Sequence, residues 1–222
     1  MTLMEFLREY DTSLLIALGE HLRLVGIALL AAILTAVPLG AWIARGERRV
    51  APVLLLANII QTVPSIALFG LMIPVLSLVN RGIGAVPAVL ALVLYAQLPI
   101  IRNTYIAIRG VPAGTIDAAR GAGMTDRQIM LNVALPLAAP EIIAGVRTAA
   151  ALSIGVAAVA AYIGAGGLGL FIARGIATTW DTMTLAGALG VALLALAVEL
   201  LLELAERLLT PKGIRAERRR RS

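Results

Sequence analysis

Long apolar runs alternate with short polar breaks along this chain. Five runs approach or exceed the roughly 20 residues that span a hydrocarbon core. They are approximately Leu24–Ala44, Pro52–Val79, Ile83–Ile101, Ile142–Ala165 and Met183–Leu202. One long polar island, residues 117–136, separates the third run from the fourth. The pattern predicts an all-α integral membrane protein with about five transmembrane helices. Its main contact surface outside the bilayer is a single helix-capable loop.

Within the runs, residue type varies in informative ways. The first carries small residues at Ala28, Ala32, Ala36, Gly40 and Ala44. The fourth carries them at Gly145, Ala149, Ser153, Ala157, Ala161 and Ala165. A spacing of four puts each set on one helix face, where backbones can approach closely. These stripes are packing faces, within the subunit or across a dimer. The second run is interrupted by Asn58, Gln61, Thr62, Pro64 and Ser65. Proline kinks a helix and frees a carbonyl, and freed backbone at membrane depth needs protein or a wet cavity beside it. Asn58, Gln61, Thr62 and Ser65 are therefore candidates for a substrate pathway, with polar contacts between helices as the other account. Gln97, close to Pro99, has a similar claim.

Composition sharpens the membrane reading. The 222 residues are 60% hydrophobic and 14% charged, with a mean hydropathy of +0.94, against about 25% charged in soluble domains. Residues 1–20 carry Glu5, Glu9 and Asp11 and lack the pattern of a cleavable signal. They form either an interfacial amphipathic helix over Met1–Leu18 or an ordinary polar lead-in. With the amino terminus outside, fifteen of the 19 lysines and arginines fall on the inner side and four outside. This positive-inside bias makes residues 102–141 cytoplasmic. The domain plan is an outer or interfacial segment 1–20, a membrane domain 21–207 with a cytoplasmic loop 109–140, and a basic cytoplasmic tail 208–222. Much of the net charge of +6 lies in that tail, where anionic lipid rather than nucleic acid is the expected partner.

Catalytic chemistry finds little support. There is no cysteine and only one histidine, so a thiolate or multi-histidine metal site is excluded. His21 stands beside Arg23 at the outer end of the first span and reads as interfacial. Glu199, Glu203 and Glu206 recur at helical spacing, and Glu203 can pair with Arg207 four residues on. The Gly164–Gly169 run lacks the following Lys-Ser/Thr and preceding strand of a phosphate loop. It is a turn closing the fourth span.

The polar island has local grammar of its own. Thr115–Ala122 predicts a short helix with Asp117 near its positive end, and Gly123 suits a left-handed stop. Thr125 and Gln128 match a capping box opening a second helix. Pro136 is expected to end that helix and Pro140 to open the fourth span.

Asp117-Ala118-Ala119, Gly123, Val133, Leu135 and Pro136 resemble the Glu-Ala-Ala…Gly…Ile-x-Leu-Pro motif of ATP-binding-cassette importer permeases. Spacing is intact, and Asp for Glu and Val for Ile are the two departures. The segments Asn58–Pro74, Tyr95–Tyr105, Gly145–Thr148 and Ile163–Gly169 are similar to the osmoprotectant branch, which serves glycine betaine, carnitine or choline. Methionine-importer permeases share the loop and fold. The resemblance implies a five-helix core of the type I importer fold, paired with a second permease subunit, the same or homologous. It implies a cytoplasmic ATPase dimer that holds ATP and magnesium, with no cofactor on this chain, and an extracytoplasmic binding protein. Asp117, Ala118, Ala119, Gly123, Leu135 and Pro136 would then carry coupling to the ATPase, in a bacterial or archaeal inner membrane. Two rivals stand beside this reading: an ATP-independent channel or carrier, and an intramembrane enzyme.

Overall fold

The computed structural model describes residues 1–209; most of the expected basic tail, from Thr210 to Ser222, lies outside them. Among the described residues the secondary structure is entirely helical. Helix α1 (Leu3–Glu9) opens on a capping box in which Thr2 and Glu5 satisfy each other's backbone N–H. Helix α2 (Asp11–Ile43) follows after a break at Tyr10. The lead-in is thus a separate short helix. The first span is longer at its amino end than the apolar run alone indicates.

Helices α3 (Glu47–Thr62) and α4 (Ser65–Ser77) replace the single kinked second span expected from Pro52–Val79. They meet at 98°. Val63 is extended (φ −68°, ψ 126°), the conformation that a following proline imposes. Helix α5 (Ala85–Arg109) forms the third long span and ends at Gly110. Helix α6 (Ala113–Gly121) and α7 (Asp126–Ile129) make up the loop. Here the structure corrects the expected stop at Pro136. Helix α7 runs through a π turn (Met130–Ala134) directly into α8 (Leu135–Val159). Proline is tolerated in the first turn of α8 because its missing N–H lies where the wider turn shifts the bonding, with Leu135 donating to the Met130 carbonyl. Pro140 sits inside α8 rather than opening it. A 3₁₀ turn (Ala160–Ile163), helix α9 (Gly169–Ala177) and helix α10 (Asp181–Leu209) complete the described chain.

Among the described residues four helices are long and apolar enough to cross a membrane, and α3–α4 makes a fifth if counted as one broken span. Helix α5 lies between α2 and α8. Both small-residue stripes turn inward: Ala28, Ala32, Ala36, Ala149, Ser153 and Ala157 are fully buried. The stripes therefore serve packing within the subunit. At two points glycine is needed for the approach itself. A Cβ on Gly40 would lie 2.6 Å from Thr104, and one on Gly145 2.6 Å from Asn103 and 2.9 Å from the Pro99 carbonyl. Around α1, Phe6 stacks on Tyr10 and meets Trp180 and Phe171 edge-on. This aromatic cluster pins the amino-terminal helix to α9 and α10.

Candidate functional site

The loop is built from short, strongly capped pieces. Helix α6 ends in a Schellman motif, with Gly123 N–H donating to Arg120 O (3.0 Å) and Met124 N–H to Ala119 O (3.2 Å). Gly123 has φ +84°, a region costing other residues about 1–2 kcal/mol. Two residues later Thr125 and Gln128 form the expected capping box, Thr125 N–H donating to Gln128 Oε1 at 2.8 Å. Asp117 is not in the first turn of α6, which begins two residues earlier than the sequence indicates. Its partner is Arg120 at 3.7 Å, and Arg120 also reaches Asp126 at 3.5 Å, tying α6 to α7.

No residue of α6 is buried. Asp117, Ala118 and Gly123 are exposed and Ala119 is half-buried, so the loop presents a small-residue surface outward. Inward, Ile116 packs against a buried cluster of Ala44, Ala107, Ile108, Ala134 and Ala138, which Val111 and Met130 also border. This cluster joins α6 to the ends of α2, α5 and α8. Beneath α6 lies a cavity of about 500 Å³ into which Arg45, Arg109, Asp117 and Arg120 face. Arg109 is held by Glu47 at 3.0 Å. Leu135 and Pro136 lie apart from the α6 surface, at the start of α8.

The second group of candidates gathers at the α3–α4 break. Asn58 and Thr62 are exposed, Gln61 and Ser65 half-buried. The break is held from outside its own chain segment: the Tyr95 hydroxyl of α5 donates to the Val63 carbonyl, while Thr62 Oγ1 caps Ile59 O at 2.7 Å. Gln97 instead bridges α5 to α2, its Nε2 donating to Thr35 Oγ1 at 2.9 Å.

Two further clusters escaped the reading of the sequence. His21 is not interfacial but fully buried. Its Nε2 lies 3.1 Å from Ile154 O, so it is the protonated nitrogen, since a carbonyl can only accept. The glycine-rich turn closes over it, with Gly164, Gly166 and Gly167 at positive φ and Gly167 N–H donating to Glu20 Oε2 at 2.8 Å. The second cluster links α8 to α10. Arg147 donates to Glu199 and, at 2.8 Å, to Glu206, while Glu203 takes the predicted bond from Arg207. Glu199 and Glu206 follow Arg147 by 52 and 59 residues, so no local spacing marks the pairing. Among the described residues no three His, Cys, Asp or Glu side chains group to hold a metal.

Residues 36–212 match the family of binding-protein-dependent transport system inner membrane components. The chain is 50% identical over 196 residues to the osmoprotectant import permease protein OsmW of Salmonella typhimurium, covering 88% of this chain and 91% of that one. It is 41% identical to the choline transport system permease protein OpuBB of Bacillus subtilis, over 96% and 95% of the two chains. The carnitine transport permease protein OpuCB of Listeria monocytogenes is also 41% identical, with the same coverage. Among solved structures, an inward-facing form of the MetNI methionine ABC transporter superposes with a TM-score of 0.78 at 24% identity, covering 87% of this chain and 94% of that one. This likeness establishes the fold.

Proposed function

Since the chain belongs to the family of binding-protein-dependent transport system inner membrane components, we propose that it is the permease of an ATP-driven importer for a quaternary-amine osmoprotectant: glycine betaine, carnitine or choline. The observation that carries the reading is the 50% identity, over nearly the whole chain, to an osmoprotectant import permease. Relatives named for choline and carnitine transport support it, and they match far more closely than the methionine transporter does. The chain resides in a bacterial inner membrane, with its amino terminus outside and residues 109–140 in the cytoplasm.

In this reading ATP and magnesium are held by a separate ATPase dimer, and a binding protein brings substrate to the outer face. A second permease, the same or homologous, completes the membrane unit. Asp117, Ala118, Ala119 and Gly123 form the surface that the ATPase grips. Leu135 and Pro136 carry the motion into α8, and Ile116 carries it to α2 and α5. Asn58, Gln61, Thr62, Ser65 and Gln97 are the pathway candidates. The unwound backbone at Val63–Pro64 supports this role, since irregular backbone at membrane depth is tolerated against protein or a water-filled cavity.

The test is uptake by the assembled transporter in liposomes, with the binding protein outside and ATP within. Labelled quaternary amine should accumulate only when both are supplied. Gly123→Leu should still insert into the membrane, since its Cβ meets nothing within 4 Å and its positive φ strains the loop by only about 1–2 kcal/mol, yet accumulate at background. Accumulation without ATP, or a normal rate in Gly123→Leu, would overturn the coupling role. Failure of the co-purifying binding protein to bind any quaternary amine would overturn the substrate class.

A further inference from the structure

The glycine-rich turn between the 3₁₀ turn and α9 rests on α2 at Glu20 and His21. Gly164 and Ala165 donate back to Ala161 O (3.1 Å) and Ala160 O (3.2 Å), and Gly84 ties the near end through Ile163 O at 2.8 Å. From α2 the turn takes one hydrogen bond among the described residues, Gly167 N–H to Glu20 Oε2. The fit is close: a Cβ on Gly166 would collide with the Glu20 carboxylate, and one on Gly167 would lie 3.2 Å from His21 Nδ1.

Two opposed effects meet there. Glu20, exposed at the rim, holds the turn down through a charge-assisted bond. His21 acts the other way. With its proton on Nε2, directed to Ile154 O, its Nδ1 is a bare acceptor. That atom is buried against Gly167 and has no partner among the described residues. An unmet buried acceptor carries a desolvation penalty, which ends once the turn lifts and water reaches Nδ1. Gly164, Gly166 and Gly167, at φ from +77° to +81°, have no Cβ to restrict such a movement.

We propose that Glu20 is a releasable clasp: its carboxylate holds the glycine-rich turn shut over His21, and the turn lifts from α2 in each transport cycle, uncovering Nδ1. Glu20 is thus a positioning residue that balances a two-state element. The clasp rests on the importer reading above, which puts it at the outer face.

His21 is the one histidine of the chain, so diethyl pyrocarbonate, which acylates an unprotonated imidazole nitrogen, reports on Nδ1. The assembled transporter is placed in nanodiscs. Carbethoxylation of the His21 peptide is followed by mass spectrometry, at rest and during turnover with binding protein and ATP. The unaltered protein should label slowly at rest and several-fold faster in turnover, a response that a static turn would not give. Glu20→Ala, a change at an exposed position, should label several-fold faster already at rest. Glu20→Gln, whose amide oxygen still accepts from Gly167, should stay close to the unaltered protein. Equal rates at rest and in turnover, with ATP hydrolysis stimulated by the binding protein, would overturn the clasp and leave the importer reading standing. So would slow labelling of Glu20→Ala at rest. Absence of stimulated hydrolysis would overturn the importer reading itself, and the clasp with it.

Discussion

Where α2, α5 and α8 meet, side chains are small and backbones touch; where α3 gives way to α4, polar side chains stand exposed and the helix has come apart. Both regions contain prolines in apolar sequence. Pro38, Pro99 and Pro140 lie inside continuous helices of the tight region, whereas the chain turns 98° at Pro64. Proline alone therefore does not set the path. In the tight region the close packing of small residues holds the helix axis through the lost hydrogen bond. At the break the lost bonds are replaced by Thr62 and by Tyr95 from a neighbouring helix. In the transport cycle proposed above, the tight region would move as one body and the break would open or close the path.

The largest effect should come from the tight region. Gly145→Leu forces a Cβ to within 2.6 Å of Asn103 and 2.9 Å of a backbone carbonyl, and no rotamer relieves a clash at Cβ. Overpacking of this kind costs about 1–3 kcal/mol even where side chains can yield, and here backbone must shift. Loss of the monodisperse peak in detergent size exclusion is the expected readout. A well-folded Gly145→Leu would mean that α5 and α8 are not held in this register.

Arg147→Met should come next. It removes the cation between Glu199 and Glu206, whose side chains are 37% and 14% exposed, and breaking such a half-buried pair costs about 1–2 kcal/mol, between the exposed and buried limits. A lower midpoint in thermal unfolding should follow, and adding Glu199→Gln and Glu206→Gln should recover part of it. Without that recovery, the arginine would act through packing of its stem rather than its charge.

Much of this architecture is legible locally. Apolar runs mark the long helices, Gly123 and the Thr125–Gln128 pair mark the loop, and the fourfold spacing of alanine and glycine marks the inward faces. What local pattern leaves out is set by partners far along the chain. His21 reads as interfacial until Ile154, 133 residues on, and the glycine turn enclose it. Arg147 looks like one more inner-side cation until α10 brings two carboxylates to it. The α3–α4 bend is the sharpest case. The polar run around Pro64 marks the place of the break, but Pro52 and Pro74 stay within helices, so proline content does not give its 98° angle. Its fixing group, Tyr95, belongs to another span.

Tyr95→Phe tests that last point with the smallest change. The hydroxyl is the side-chain donor reaching the Val63 carbonyl, and Tyr95 is 6% exposed. Removing one hydrogen bond of this type costs about 1 kcal/mol, so the thermal midpoint should fall slightly. The ring keeps its place in the core, and α2, α5 and α8 should remain packed. If the break is a moving part of the path, the effect on transport should exceed the effect on stability. Uptake per assembled transporter should drop several-fold while binding-protein docking and basal ATP hydrolysis hold. A variant that loses stability and uptake in proportion would instead make the break a static elbow and move the working hinge elsewhere, with the π turn before Pro136 the next place to look.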